Sequence, residues 1–301
     1  MTKQRTGKKL HLQPLQFYGG KFYAVKYILP LIPPHTVYCE PFAGGAAVFW
    51  AKEPSPIEVL NDIDFRIVAF YRCLRDKRLW RKLQRMCDLT PYSRAEYYSA
   101  HQHLKNYIAN PKAIDTLDND ELVTLAWRFF VINRMGVNAD VSSIGWSYVR
   151  TAIDAKAVTA FRNKITLFGY FHERLKHVYI ECDDAVRVIR RFDTPETFFF
   201  IDPPYLPQTI ADPINYTFRM TEEEHQRLLE TLCQVKGKVI LTHPRCRLYE
   251  SYLKGWITKE ITYPLYTSSC QAGQPKPYFR DILWLNYEPK VIGDGKDEGV
   301  D

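Results

Sequence analysis

The sequence predicts an α/β fold: an open sheet with a mainly helical module inserted into it. Three observations predict this. Short apolar runs recur at helix-length intervals, each run ends in polar or turn-forming residues, and the stretch from about Arg75 to Thr166 breaks that rhythm. With 301 residues, 46% apolar and 25% charged, the chain is long enough for a large core and has the balance of a globular protein.

The first run, Thr36-Val37-Tyr38-Cys39, follows Pro33-Pro34 and ends in Glu40-Pro41. The second, Glu58-Val59-Leu60, ends in Asn61-Asp62 and leads to a helix over Phe65–Leu74. The stretch that follows is helical in flavour and carries Tyr92, Arg94, Tyr97 and Tyr98. It closes with a Gly-, Asn- and Ser-rich passage from Asn133 to Tyr148. A third strand, Thr197–Ile201, ends in Asp202-Pro203-Pro204. Thr221 and Glu224 then form a capping box, with Leu228, Leu229 and Leu232 on one helical face. Lys238–Leu241 ends in Thr242-His243-Pro244, and Ile282–Leu285 read as a late strand. The expected division is a discontinuous core over 11–75 and 166–289, an insert over 76–165, and tails at 1–10 and 290–301. Polar punctuation at the strand ends places a site along the sheet's carboxyl edge.

No apolar run approaches the roughly 18–20 residues of a membrane span, and the start MTKQRTGKKL lacks a signal-peptide core. A cytoplasmic protein with no membrane partner is expected. Forty-one Lys and Arg against 34 Asp and Glu give a net charge of +7, which attracts anionic partners. The seven cysteines are odd in number and none pairs at CxxC spacing. They read as apolar fillers rather than a zinc ribbon or disulfide framework.

Chemistry concentrates in three places. The turn Glu40-Pro41-Phe42-Ala43-Gly44-Gly45-Ala46-Ala47 lets a helix start close to a ligand, but it lacks GxGxxG. Its carboxylate would repel a diphosphate and suits a cationic ligand such as S-adenosylmethionine. Asp62 lies where a ribose hydroxyl pair finds its acceptor. Asp202-Pro203-Pro204-Tyr205 offers a carboxylate, carbonyls on a backbone stiffened by proline, and a flat ring. Together these form a receptor for a planar group bearing NH₂.

The motifs Phe17-Tyr18-Gly19-Gly20-Lys21, Glu40–Gly45, Asn61-Asp62-Ile63-Asp64, Asn133-Arg134-Met135-Gly136 and Asp202–Tyr205 follow one another in this order. Over residues 13–287 the chain thereby resembles the Dam-like family of adenine-specific DNA methyltransferases. The resemblance implies a Rossmann-like class I methyltransferase sheet of seven strands with an inserted DNA-recognition domain. It implies S-adenosylmethionine as cofactor and double-stranded DNA as partner, with no metal. The target adenine would be flipped out of the duplex. Phe17, Tyr18 and Lys21 would belong to the cofactor site, with Glu40, Phe42 and Gly44 on the methionine side and Asp62 at the ribose. Asp184, or its neighbour Asp183, would hold the cofactor's adenine. Asp202, Pro203 and Tyr205 would be catalytic. Asn133, Arg134, Tyr148 and Arg150 would touch DNA, with structural bracing the equal alternative for Asn133 and Arg134, whereas Trp127, Phe129 and Phe130 read as core. The family setting is a bacterium or phage, with a cognate restriction endonuclease as a further partner. Ala46 stands where the family keeps a glycine, with Gly45 expected to compensate. His225 and His243 read as structural. The alternatives are methylation of the cytosine amino group or of adenine in RNA, and a DNA-binding regulator without turnover.

Overall fold

A computed structural model describes residues 12–17, 19–137, 145–147, 155–209, 217–264 and 278–289. In chain order the elements are α1 (Val25–Ile28), β1 (Val37–Glu40), α2 (Ala47–Ala51), β2 (Ile57–Asn61) and α3 (Phe65–Arg75). Next come α4 (Leu79–Leu89), α5 (Arg94–Ala109), α6 (Asn119–Met135), α7 (Ala155–Ile165) and α8 (Phe168–Leu175). The chain then runs through β3 (Tyr179–Glu181), α9 (Ala185–Phe192), β4 (Thr197–Ile201), α10 (Glu222–Leu232) and β5 (Lys238–Thr242). It finishes with α11 (Arg247–Tyr252), β6 (Ile257–Pro264) and β7 (Tyr278–Leu285).

Among the described residues the strands form one seven-stranded sheet in the order β3-β2-β1-β4-β5-β7-β6. β1 to β5 are parallel, and β7 runs antiparallel to both β5 and β6. From β1 the chain moves outward to β2 and β3, then returns to β4 on the other side of β1. The strand order therefore reverses between β1 and β4, which opens a crevice beyond their carboxyl ends.

Both central strands are buried along their whole length, as their uninterrupted apolar runs require. In β4, Phe198 and Phe200 enter one core while Phe199 and Ile201 enter the other, following the two-residue period of a strand. The second core is covered by α9, α10 and α11 through Val188, Leu228, Leu229 and Tyr249. The first is covered by α3 and by the insert. There Phe70 stacks on Phe130 of α6 at 5.6 Å, and Phe168 meets both rings edge-on. Among the described residues, α4 to α7 thus share one core with the sheet.

The helix starts follow local chemistry. Thr221 and Glu224 form the expected capping box on α10, and Asp118 with Glu121 makes another on α6. At α3 the cap is Asp64, whose side chain accepts from the Arg66 amide. Asp62, two residues earlier, is therefore left to the sheet rim. Among the described residues no helix is long and apolar enough to cross a membrane, and no group of three or more metal-ligating side chains gathers.

Candidate active site

The rim of the crevice begins at the end of β1. Glu40 is buried, and its Oε1 accepts from the Tyr38 hydroxyl at 2.5 Å and the Phe49 amide of α2 at 2.7 Å. Burial pushes its carboxyl up to about 8 in spite of those donors. The turn beyond it is set by two left-handed residues, Gly44 at φ 48° and Ala46 at φ 51°. Ala46 itself takes the conformation that favours glycine, and Gly45 does not compensate for it, contrary to expectation. Gly45 instead lies close to Phe17, where a Cβ would stand 3.3 Å from the ring. Phe17 is thereby seated on the β1 turn.

Asp62 ties this turn to the end of β2. Its Oδ2 accepts from the Gly44 amide at 2.8 Å, and its Oδ1 from the Asp64 amide at 2.9 Å. Burial, and then the nearby Asp64 charge, push its carboxyl up to about 7. Asn61 clamps three strand ends together. Its side-chain amide donates to the carbonyls of Pro41 and Asp183, and its oxygen accepts from the Asp183 amide. Phe42 packs against the second core. At the end of β3, Asp184 is the N-cap of α9 and pairs with Arg227 at 2.5 Å, while Asp183 pairs with Arg191 at 3.0 Å. Both carboxylates are thus anchored at this corner.

The centre of the site lies beyond β4. Asp202 is 21% exposed, and its Oδ1 is held from two sides. The Lys21 ammonium lies 2.7 Å away, and the Thr242 hydroxyl at the end of β5 donates at 2.5 Å. Lys21 also donates to the Gly19 carbonyl at 3.1 Å and sits 4.9 Å from the centre of the Tyr205 ring. Desolvation opposes its charge, but Asp202, Tyr205 and Asp281 outweigh it and hold the ammonium well above the usual lysine range. Lys21 therefore reaches the aspartate of the Asp-Pro-Pro-Tyr segment, where its motif had pointed to the cofactor. The Tyr205 hydroxyl donates to both oxygens of Asp281 at 2.9 and 3.0 Å. Behind it, His243 is buried and stacked on Tyr249 at 3.7 Å. Its Nε2 accepts from the Leu206 amide, and burial lowers its pKa to about 3. His243 and His225, which is likewise lowered to about 4 by burial, are neutral packing groups.

The sequence model of the D12 class N6 adenine-specific DNA methyltransferases matches residues 17–264. The chain belongs to this family. No curated protein matches it. The enzyme is an N6 adenine-specific DNA methyltransferase, so adenine in DNA is its substrate and a methyl donor its co-substrate. The cytosine, RNA and silent-regulator alternatives are set aside.

The residues expected to touch DNA divide. Asn133 is corrected: it is 1% exposed, its oxygen accepts from the Gln16 amide at 2.9 Å, and its NH₂ donates to the Gln16 carbonyl at 2.7 Å. With both ends bonded to backbone inside the methyltransferase, it braces the segment that carries Phe17. Arg134, next to it, has a buried Nε without a partner among the described residues, and burial lowers its pKa to about 10. Lys164 is lowered to about 8 by burial and by the Arg134 charge. Tyr148 and Arg150, like Tyr18, lie outside the described residues.

Three residues of the site carried no assignment from the sequence: Asn61, Thr242 and Asp281. Asn61 and Thr242 stand at strand ends, where polar punctuation was visible but not ranked. Asp281 directly precedes the apolar run Ile282–Leu285, and a carboxylate opening such a run was the available signal.

Proposed function

We propose that the enzyme takes its methyl group from S-adenosylmethionine and receives an extruded adenine at Asp202, Pro203 and Tyr205. Glu40 and Asp62 support the choice of donor. Two buried carboxylates pushed toward neutrality both gain from a nearby cation, and the Gly44 amide, the donor a phosphate would need, is already bonded to Asp62. A carboxylate has about four acceptor directions, so Asp62 keeps two for ribose hydroxyls. The Asp183–Asp184 corner takes the cofactor's adenine amino group, and Phe17 with Phe42 lines the approach. When bound, S-adenosylmethionine supplies an electrophilic methyl group on a sulfonium.

The chain's own residues do the positioning. With Oδ1 of Asp202 occupied by Lys21 and Thr242, Oδ2 accepts one hydrogen of the target amino group. The Pro203 carbonyl accepts the other. Two acceptors on one NH₂ draw its lone pair out of conjugation and aim it at the methyl group, and the negative carboxylate stabilises the ammonium that develops. Lys21 stays protonated and is no base. Arg134, with the basic and aromatic residues that follow it, meets the phosphates and the gap left by the flipped base in duplex DNA.

The observation that carries this reading is the Asp202 carboxylate at the strand-order reversal, with one oxygen tied and the side chain still partly open. Transfer of labelled methyl to unmethylated DNA tests it. Asp202→Ala should abolish transfer while leaving DNA affinity within about threefold, and activity within a few-fold of the parent would refute the assignment.

A further inference from the structure

Asp281 is fully buried in β7, a strand otherwise apolar toward its end, with Ile282, Leu283, Trp284 and Leu285 following. An ionised carboxylate in such a place costs several kcal/mol unless it is paired, and an apolar residue there would often be as stable. Among the described residues, every side-chain partner it has belongs to the proposed active site or adjoins it. Both of its oxygens accept from the Tyr205 hydroxyl. Its Oδ2 also accepts from the Tyr263 hydroxyl of β6 at 3.3 Å and lies 3.6 Å from the Lys21 ammonium. Its Oδ1 accepts from the Ile282 amide at 3.0 Å, which fixes the carboxylate plane against its own strand.

We propose that Asp281 is a positioning residue for methyl transfer: it holds Lys21 and Tyr205 from the sheet side and so decides which oxygen of Asp202 is open to the amine. The inference rests on Asp202 being the amine acceptor. An ammonium has three donors. Lys21 is ion-paired with Asp202 Oδ1, donates to the Gly19 carbonyl, and lies within 3.6 Å of Asp281 on its remaining side. Held this way, Lys21 contacts one oxygen of Asp202 and leaves Oδ2 to the substrate. Without the Asp281 charge the ammonium is drawn onto both oxygens of Asp202, and the Tyr205 ring loses the anchor of its hydroxyl. Binding of DNA and donor survives, but the near-attack geometry does not.

Asp281→Asn tests this, because it keeps the shape and removes the charge. Single-turnover methyl transfer per folded site should fall at least about tenfold, since ångström-scale misplacement of a reacting group costs that much or more. Affinity for duplex DNA, affinity for S-adenosylmethionine, and the fluorescence rise of a 2-aminopurine placed at the target should stay within about twofold. A merely structural role would lower Tm and leave the rate per folded site unchanged, and that result overturns the proposal. If Asp281→Asn does not fold, Tyr263→Phe removes one donor from Asp281. It should slow single-turnover transfer several-fold with binding unchanged, and a parental rate overturns the proposal equally. Full activity in Asp202→Ala would sink the acceptor reading itself. An inactive Asp202→Ala beside a fully active Asp281→Asn would sink only this inference.

Discussion

Ala46 occupies a left-handed conformation at φ 51° and ψ 42°, immediately before α2. An L-residue with a Cβ is strained there by about 1–2 kcal/mol. Ala46→Gly relieves that strain but loses a buried methyl and frees the unfolded chain, so denaturant unfolding should stay within about 1 kcal/mol of the parent. Ala46→Val puts a branched side chain in the same conformation and should cost at least about 2 kcal/mol. The sequence revealed that a glycine was missing from the motif. It could not reveal which residue turns left-handed, because that depends on how Phe17 and Asp62 pin the turn.

Glu40 makes a second prediction at this scale. Its folded value of about 8 lies above the ordinary glutamate range, so folding favours the protonated form. The stability it contributes is complete below the unfolded value and is lost as the pH rises through about 8. Over that window the free enzyme should lose about 1.4 kcal/mol per pH unit from this group alone, and Glu40→Gln should flatten the profile of Tm against pH. Asp62 acts in the same direction through about 7. A cationic donor favours the ionised carboxylates, so its stabilising effect should grow over the same range.

Among the elements, the interior strands were legible and the edges were not. β1, β2, β4 and β5 are buried runs bounded by turn residues, the pattern a parallel sheet imposes. β3 and β6 escaped notice, and they are the two outer strands. β3 has three residues, with Tyr179 54% exposed, and the Ile-Thr-Lys-Glu-Ile-Thr-Tyr-Pro run of β6 carries the polar side chains an edge tolerates. Asn133 shows a related limit. Its motif marked it as important, but only the fold brings Gln16, 117 residues away in sequence, onto its amide. Asn133→Ala leaves two backbone groups of Gln16 without partners and should cost about 1–3 kcal/mol. Hydrogen exchange at the Gln16 amide should accelerate. If that amide stays as protected as in the parent, the bracing role is wrong.

At the scale of the whole molecule, the open α/β sheet was legible in short apolar runs ending in polar residues, but the strand order was not. The internal wiring of the site did not. Asp202 with Tyr205, Lys21, and Asp281 come from three separate parts of the chain, and only the antiparallel return of β7 beside β5 brings the last of them under the others. The helical stretch between β2 and β3 was visible in composition, yet amphipathic helices reveal that one face is covered without revealing by what. In the structure that cover is Phe70 and Phe168, so the insert closes the core of the sheet.

That joint core bears on whether α4 to α7 can be exchanged as a unit. A recognition cassette with its own interior could be exchanged whole between relatives, as a tool head is changed on a handle. Here, lifting out α4 to α7 would strip the covering from Phe70 and leave an oily face on the remainder. Replacing α4 to α7 alone would therefore break open an interior that the sheet and these helices build together.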